Sequence, residues 1–198
     1  MGGQRLITEL LMGRASIIQP AMESLQAEYR ELADEYARGV RELFGDRLVS
    51  ICFFGSVVRG EATPESDIDV LVVAKGVPKD VGLRLQETSG IYSELKRSEA
   101  YRKLRSLGRN ALVSAIVLTP HEAETHPPIM LDMTEYAFVA YDKDGFLERV
   151  LDDMRQRLKE LGARKVKARK ATIGSLNPTL DPTRSLRFEE YSHGARLR

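Results

Sequence analysis

A single cysteine, Cys52, in 198 residues excludes an internal disulfide framework and a cysteine-rich zinc site. No apolar run approaches the roughly 18 residues a membrane-spanning helix needs. The best stretch, Ala111 to Leu118, is interrupted by Ser114. The amino-terminal MGGQRLITELLMGRASIIQ lacks the long apolar core and small-residue cleavage site of a secretory signal, and Glu9 and Arg14 sit among its leucines. Gly2 would suit N-myristoylation, but Leu6 stands where that modification wants Ser or Thr. These absences lead us to expect a cytoplasmic chain that does not enter a membrane. With only two Asn and five Gln beside many charged residues, the composition leans in the thermophile direction.

What is present is enough for a sizeable core. A hydrophobic fraction of 42% is too high for a disordered chain, and the length suits one α/β domain with at most an appendage. The net charge of +1 conceals a division along the chain. Residues 1–154 carry 18 Lys/Arg against 25 Asp/Glu, and residues 155–198 carry 12 against 4, so an acidic body precedes a basic tail. Average charge therefore cannot dismiss an anionic partner.

Pro20 suits the first turn of a helix, and Met22, Leu25, Tyr29, Leu32, Tyr36, Val40 and Leu43 then recur at spacings of three and four. This predicts a helix of some 25 residues ending near Gly45, either laid across a sheet or making a helix-mediated homodimer contact. The β-prone runs Leu48 to Phe54, Asp69 to Ala74 and Ala111 to Thr119 read as buried strands. Residues 80–107 read as two helices broken at Ser89-Gly90, and 129–141 and 145–161 as further helices around the turn Tyr141 to Gly145. From Gly162 the pattern dissolves into an irregular tail marked by Pro178 and Pro182. The expectation is an α/β (α+β) fold, a small mixed β-sheet flanked by helices. Its parts would be an N-terminal helical segment, 1–47, a core, 48–145, and a C-terminal helix with basic tail, 146–198, all in one compact domain.

The stretch that carries chemistry is Phe54-Gly55-Ser56-Val57-Val58-Arg59-Gly60-Glu61, followed by Ser66-Asp67-Ile68-Asp69-Val70. A strand delivers the chain into a tight Gly55-Ser56 turn, where small residues let backbone N–H groups and the Ser56 hydroxyl approach an anion. Arg59 is within reach of that turn and can offset phosphate charge. The loop Gly60 to Ser66 returns the chain to a second strand. There Asp67 and Asp69, two residues apart, share one face at a Cα separation of about 6.5–7 Å. Ile68 and Val70 face the core. Like charges so placed repel unless one is protonated or a cation lies between them, and all-oxygen ligands favour Mg²⁺ or Mn²⁺. Paired carboxylates with a divalent ion beside a phosphate-cradling turn suit nucleotidyl transfer.

The segment resembles the signature of the DNA polymerase β-like nucleotidyltransferase superfamily: Gly-Ser, a loop of ten residues (57–66), then Asp-Ile-Asp-Val. The string GSVVRGEATPESDIDVLVV is most similar to its minimal nucleotidyltransferase branch, whose members carry GSxARGxA and then SDIDL. The close match spans residues 53–73, with a compatible order of elements over 48–145. The resemblance implies transfer of a nucleoside monophosphate, AMP in the first instance, from an NTP to an acceptor hydroxyl. It gives Asp67 and Asp69 to metal and catalysis, and Gly55, Ser56, Arg59 and Ser66 to the nucleotide. The acceptor stays open among a protein hydroxyl, a small molecule such as an antibiotic, and an RNA end.

Active members of the superfamily use a third carboxylate on a later strand. The later strand here contains no acid, and Ser114 holds the polar position. Asp132, in Met130-Leu131-Asp132-Met133, is either that missing acid or an ordinary acid beside core methionines. A chain without the third acid would be a nucleotide-binding or partner-binding module. His121, His126 and His193 lack metal spacing and read as surface residues, and Cys52 as a core residue. The basic residues Arg155, Arg157, Lys159, Arg164, Lys165, Lys167, Arg169 and Lys170 form either a solvated helix end or a polyanion-contacting surface over 155–170. No aromatic residue occurs in 155–187, so stacking of single-stranded bases is not supported.

Overall fold

The structure, a computed structural model, describes residues 25–163. By its contacts the chain divides into residues 1–157 and 158–198, the second described only over 158–163.

The apolar stripe becomes the buried side of helix α1 (Ala27–Phe44), where Tyr29, Leu32, Tyr36 and Val40 are all buried. Leu43 packs partly buried against the same core, and buried Phe44 joins it before the chain turns at Gly45. Pro20 and Met22 lie outside the described residues.

Four strands follow: β1 (Leu48–Phe54), β2 (Ile68–Ala74), β3 (Val113–Leu118) and β4 (Phe138–Asp142). They form one mixed sheet in the order β3-β2-β1-β4. β1 pairs antiparallel with both β2 and β4, and β2 pairs parallel with β3. A parallel neighbour requires a crossover. The chain supplies it with α3 (Val81–Leu95) and α4 (Glu99–Ser106), after the one-turn α2 (Ser56–Arg59) between β1 and β2.

One sheet face, with Ile51, Phe53, Ile68, Val70 and Val72, joins the core formed with Tyr29, Leu32, Tyr36 and Val40 of α1, Ile91 and Leu95 of α3, and Leu104 of α4. Each large side chain buried there contributes about 1.5–3 kcal/mol over its exposed state. Alternation puts Cys52, Phe54, Asp69, Leu71 and Val73 on the other face, where the apolar members are also buried.

The strand read at Ala111 to Thr119 is not a buried one: β3 lies at the sheet edge and only its Val117 is buried. Two expectations about helices also need correction. The break in 80–107 falls not at Ser89-Gly90 but at Lys96–Ser98. Ser89 stays helical, its hydroxyl donating to the Gln86 carbonyl 2.7 Å away, whereas Ser98 caps α4 by accepting from the Tyr101 N–H. Second, residues 129–141 are not one helix. Pro128–Thr134 forms 3₁₀ turns, and Phe138–Asp142 becomes the edge strand β4. At the end of β4, the Asp142 carboxylate accepts from Ser50 Oγ (2.6 Å) and from the N–H groups of Leu147 (2.9 Å) and Glu148 (3.1 Å). It thereby holds the start of helix α6 (Phe146–Glu160) to the sheet.

Beyond β3, the short helix α5 (Pro120–Glu124) opens with a capping box between Thr119 and Glu122. Glu122 also takes a two-pronged bond, 2.8 Å on each arm, from buried Arg84 of α3. Arg84 also donates to the carbonyls of Val117, Pro78 and Lys79, fixing the end of β3 against α3.

Candidate active site

The site is built where the end of β1 meets the start of β2. Phe54 is in register with Asp69, so the turn after β1 lies beside the carboxylate of β2. Gly55 has φ 75° and ψ −157°, a conformation essentially restricted to glycine. A Cβ at this position would overlap Asp69 Oδ2. The glycine therefore gives the turn its backbone shape and leaves the space that the carboxylate occupies. Ser56 opens α2, and the chain leaves at Gly60 in the left-handed conformation, φ 74°.

Asp67 precedes β2 by one residue and Asp69 lies within it; both are half-buried. The Asp69 carboxyl is pushed above the ordinary carboxylate range, first by burial and then by the negative charge of Asp67. Arg59 opposes this shift, and Asp132 adds to it. Asp67 Oδ1 accepts a 2.5 Å bond from Asn110 Nδ2 in the loop before β3.

Arg59 is bonded through Nη1 to Asp132 Oδ2 and through Nε to Glu61 Oε2 at 3.1 Å. The structure thus brings Asp132, from the 3₁₀ segment, onto Arg59, and its charge acts on Asp69. The Ser66 hydroxyl accepts the Thr63 N–H at 2.9 Å, closing the loop. Ser114 is in register with Asp69 on β3. Among the described residues no group of three or more His, Cys, Asp or Glu is placed to hold a metal ion. The chemistry of the site is therefore that of two carboxylates, with an arginine and a third acid beside them.

Sequence reasoning missed Asn110. Gly108-Arg109-Asn110 is legible as a turn, but only the parallel pairing of β2 and β3 places it against Asp67. Cys52 is buried as expected, and burial pushes its thiol up to about 12. His126 has a largely buried side chain, with Nε2 at 3.4 Å from Asp153 Oδ2, so it is not a surface residue. Of the basic tail, Arg155 donates to the Thr134 carbonyl at 2.7 Å and Arg157 pairs with Asp153 at 3.0 Å. Residues 164–170 and His193 lie outside the described residues. A cleft of about 450 Å³ between α1 and β4, lined by Arg30, Arg38, Arg41 and Phe138 among others, includes none of the site residues. No described helix is long and apolar enough to cross a membrane.

Residues 33–107, from α1 through α4, match the family described as a nucleotidyltransferase domain. The chain is 31% identical over 133 residues to a Methanocaldococcus jannaschii protein named "putative protein adenylyltransferase", covering 66% of this chain and 83% of that one. A second protein of that organism with the same description is 35% identical over 51 residues, 26% of this chain and 52% of its own length. Among solved structures, a toxin–antitoxin crystal structure with AMP-PNP is similar at a TM-score of 0.43 and 16% identity, covering 66% of this chain and 92% of that one.

Proposed function

This chain belongs to the nucleotidyltransferase family, and from that premise we propose that it transfers AMP from ATP to a hydroxyl group of a protein. The observation that carries the reading is the Asp67–Asp69 pair set against the Gly55 turn. A protein acceptor is supported by the naming of the Methanocaldococcus jannaschii relative.

The residues present fit a hard divalent cation, Mg²⁺ or Mn²⁺. The donors are all carboxylate oxygens, and the charge of Asp67 already opposes ionisation of Asp69, an opposition a cation would relieve. When bound, such an ion neutralises triphosphate charge and favours attack at the α-phosphorus. Asp67 and Asp69 would hold it. The backbone of Gly55 and Ser56 would receive the β- and γ-phosphates, and Arg59 would offset their charge. In the reaction the acceptor oxygen bonds to the α-phosphorus, the bond to the bridging oxygen breaks, pyrophosphate leaves and the hydroxyl proton passes to solvent. Ser66 acts on this site by shaping the loop that delivers Asp67.

Ser114 at the register position beside Asp69 favours a second reading, a module that binds NTP without transferring it. Incubation with ATP labelled at the α-phosphate, with a γ-labelled control, separates the two. Transfer places only the α label in protein; the binding module labels nothing.

A further inference from the structure

We propose that Asn110 is a positioning residue for the metal-binding carboxylate of Asp67, an inference that rests on the reading of Asp67 as a ligand. Asp67 stands just outside the ladder of β2, whose first bond to the neighbouring segment runs from the Ile68 N–H to the Leu112 carbonyl at 2.9 Å. Its side chain is thus not fixed by strand pairing at its own residue, and Asn110 supplies the restraint. The Asn110 N–H donates to the Pro64 carbonyl at 2.7 Å, which anchors the residue to the Gly60–Ser66 loop. Oδ1 accepts the Leu112 N–H at 3.3 Å, an Asx turn two residues on. Nδ2 donates to Asp67 Oδ1 at 2.5 Å and reaches the Glu65 carbonyl at 3.4 Å.

These partners determine which way the amide faces. Turned by half a revolution, it would set its own oxygen against the Asp67 carboxylate and its NH₂ against the Leu112 N–H, pairing like with like at both ends. The donor therefore belongs at Asp67. It engages one carboxylate oxygen and, being neutral, leaves the negative charge for a cation; a lysine or arginine at this position would compete for it. Partners that orient a ligand in this way are worth about 10–100-fold in metal affinity. Two elements distant in sequence are joined by the same bond, so the ligand is held by the fold and not by its own loop alone.

The test uses the full chain, Mn²⁺ alone as probe, and paramagnetic resonance of free Mn²⁺ as readout, with thermal unfolding alongside. In Asn110→Ser the hydroxyl can still accept the Leu112 N–H but cannot reach Asp67. We expect it to fold and to bind Mn²⁺ at least about tenfold more weakly than wild type. Asn110→Gln, which carries the donor on a longer arm, regains part of that affinity. Wild-type and Asn110→Ser affinities within twofold of each other overturn the assignment of Asn110 alone. So does a Gln variant no better than Ser, or a Ser variant that fails to fold, because the bond would then serve the fold and not the ligand. A wild-type chain that binds no Mn²⁺ overturns the reading of Asp67 as well.

Discussion

Gly55 and Asp69 share one space: a Cβ on the turn residue would overlap the carboxylate oxygen Oδ2 of the strand residue. The shape of the turn we propose to bind phosphate and the position of the acid we propose to hold metal thereby depend on one another. Gly55→Ala must distort one or displace the other. The strained backbone alone costs about 1–3 kcal/mol, or a fall in Tm of several degrees for a chain of this size. Gly60→Ala offers the contrast, because its conformation is left-handed but nothing lies within 4 Å of an added Cβ. It should cost about 1–2 kcal/mol and spare far more of the transfer activity. Thermal unfolding together with the labelling assay on both variants checks this.

Arg59 and Asp132 are bonded to each other, so the acid is committed to holding the arginine. Asp132→Asn weakens that hold and should raise KM for the nucleotide about tenfold while kcat changes much less. If Asp132 took the acceptor's proton, kcat would instead fall by about 10²–10⁴-fold. Steady-state kinetics with the nucleotide varied distinguishes these outcomes.

The Arg84–Glu122 pair gives the fold a pH dependence. Bonding to Arg84 holds the Glu122 carboxyl at about 2 against an ordinary 4.5. Because the folded-state value is depressed, the stabilisation is complete above about pH 4.5 and is lost as the pH falls toward 2. Arg84 is 5% exposed but Glu122 is 41% exposed. Discounted for solvent screening, the contribution is about 1–2 kcal/mol. Glu122→Gln should lower Tm by a few degrees at pH 7 and flatten its decline between pH 5 and 3. A Tm-against-pH series on both proteins tests this.

Cys52 lies at the centre of β1 with no solvent access, and burial raises its thiol to about 12. Alkylation at pH 8 should therefore leave the native chain untouched and go to completion in denaturant. Rapid labelling of the native protein, read by mass spectrometry, would contradict this placement.

The parts of the fold that could be read from sequence are those with a strong local period. The α1 stripe, the runs at 48–54 and 69–74, and the Asp67-Ile68-Asp69 alternation each carry their own signal. β4 was not legible because Met130 and Met133 share helical spacing. The strand Phe138–Asp142 depends on pairing with β1, about 90 residues away in the chain. Asn110 was obscure for the same reason, and Asp132 could be named only as one of two alternatives: each reaches the site across the sheet or a 3₁₀ turn, 43 and 73 residues along the chain from its partner. Asp67 and Asp69 stood out because strand alternation alone sets them on one face, and Gly55 because it directly follows a strand that pairs with theirs.

The most direct test of the account is transfer of label from α-labelled ATP to protein, in Mg²⁺, by wild type and by the Asp67→Asn plus Asp69→Asn double variant. The acceptor source is an extract of the native host. Wild type should yield labelled protein and the double variant none above background, at unchanged fold by circular dichroism. Transfer that survives loss of both carboxylates would contradict it.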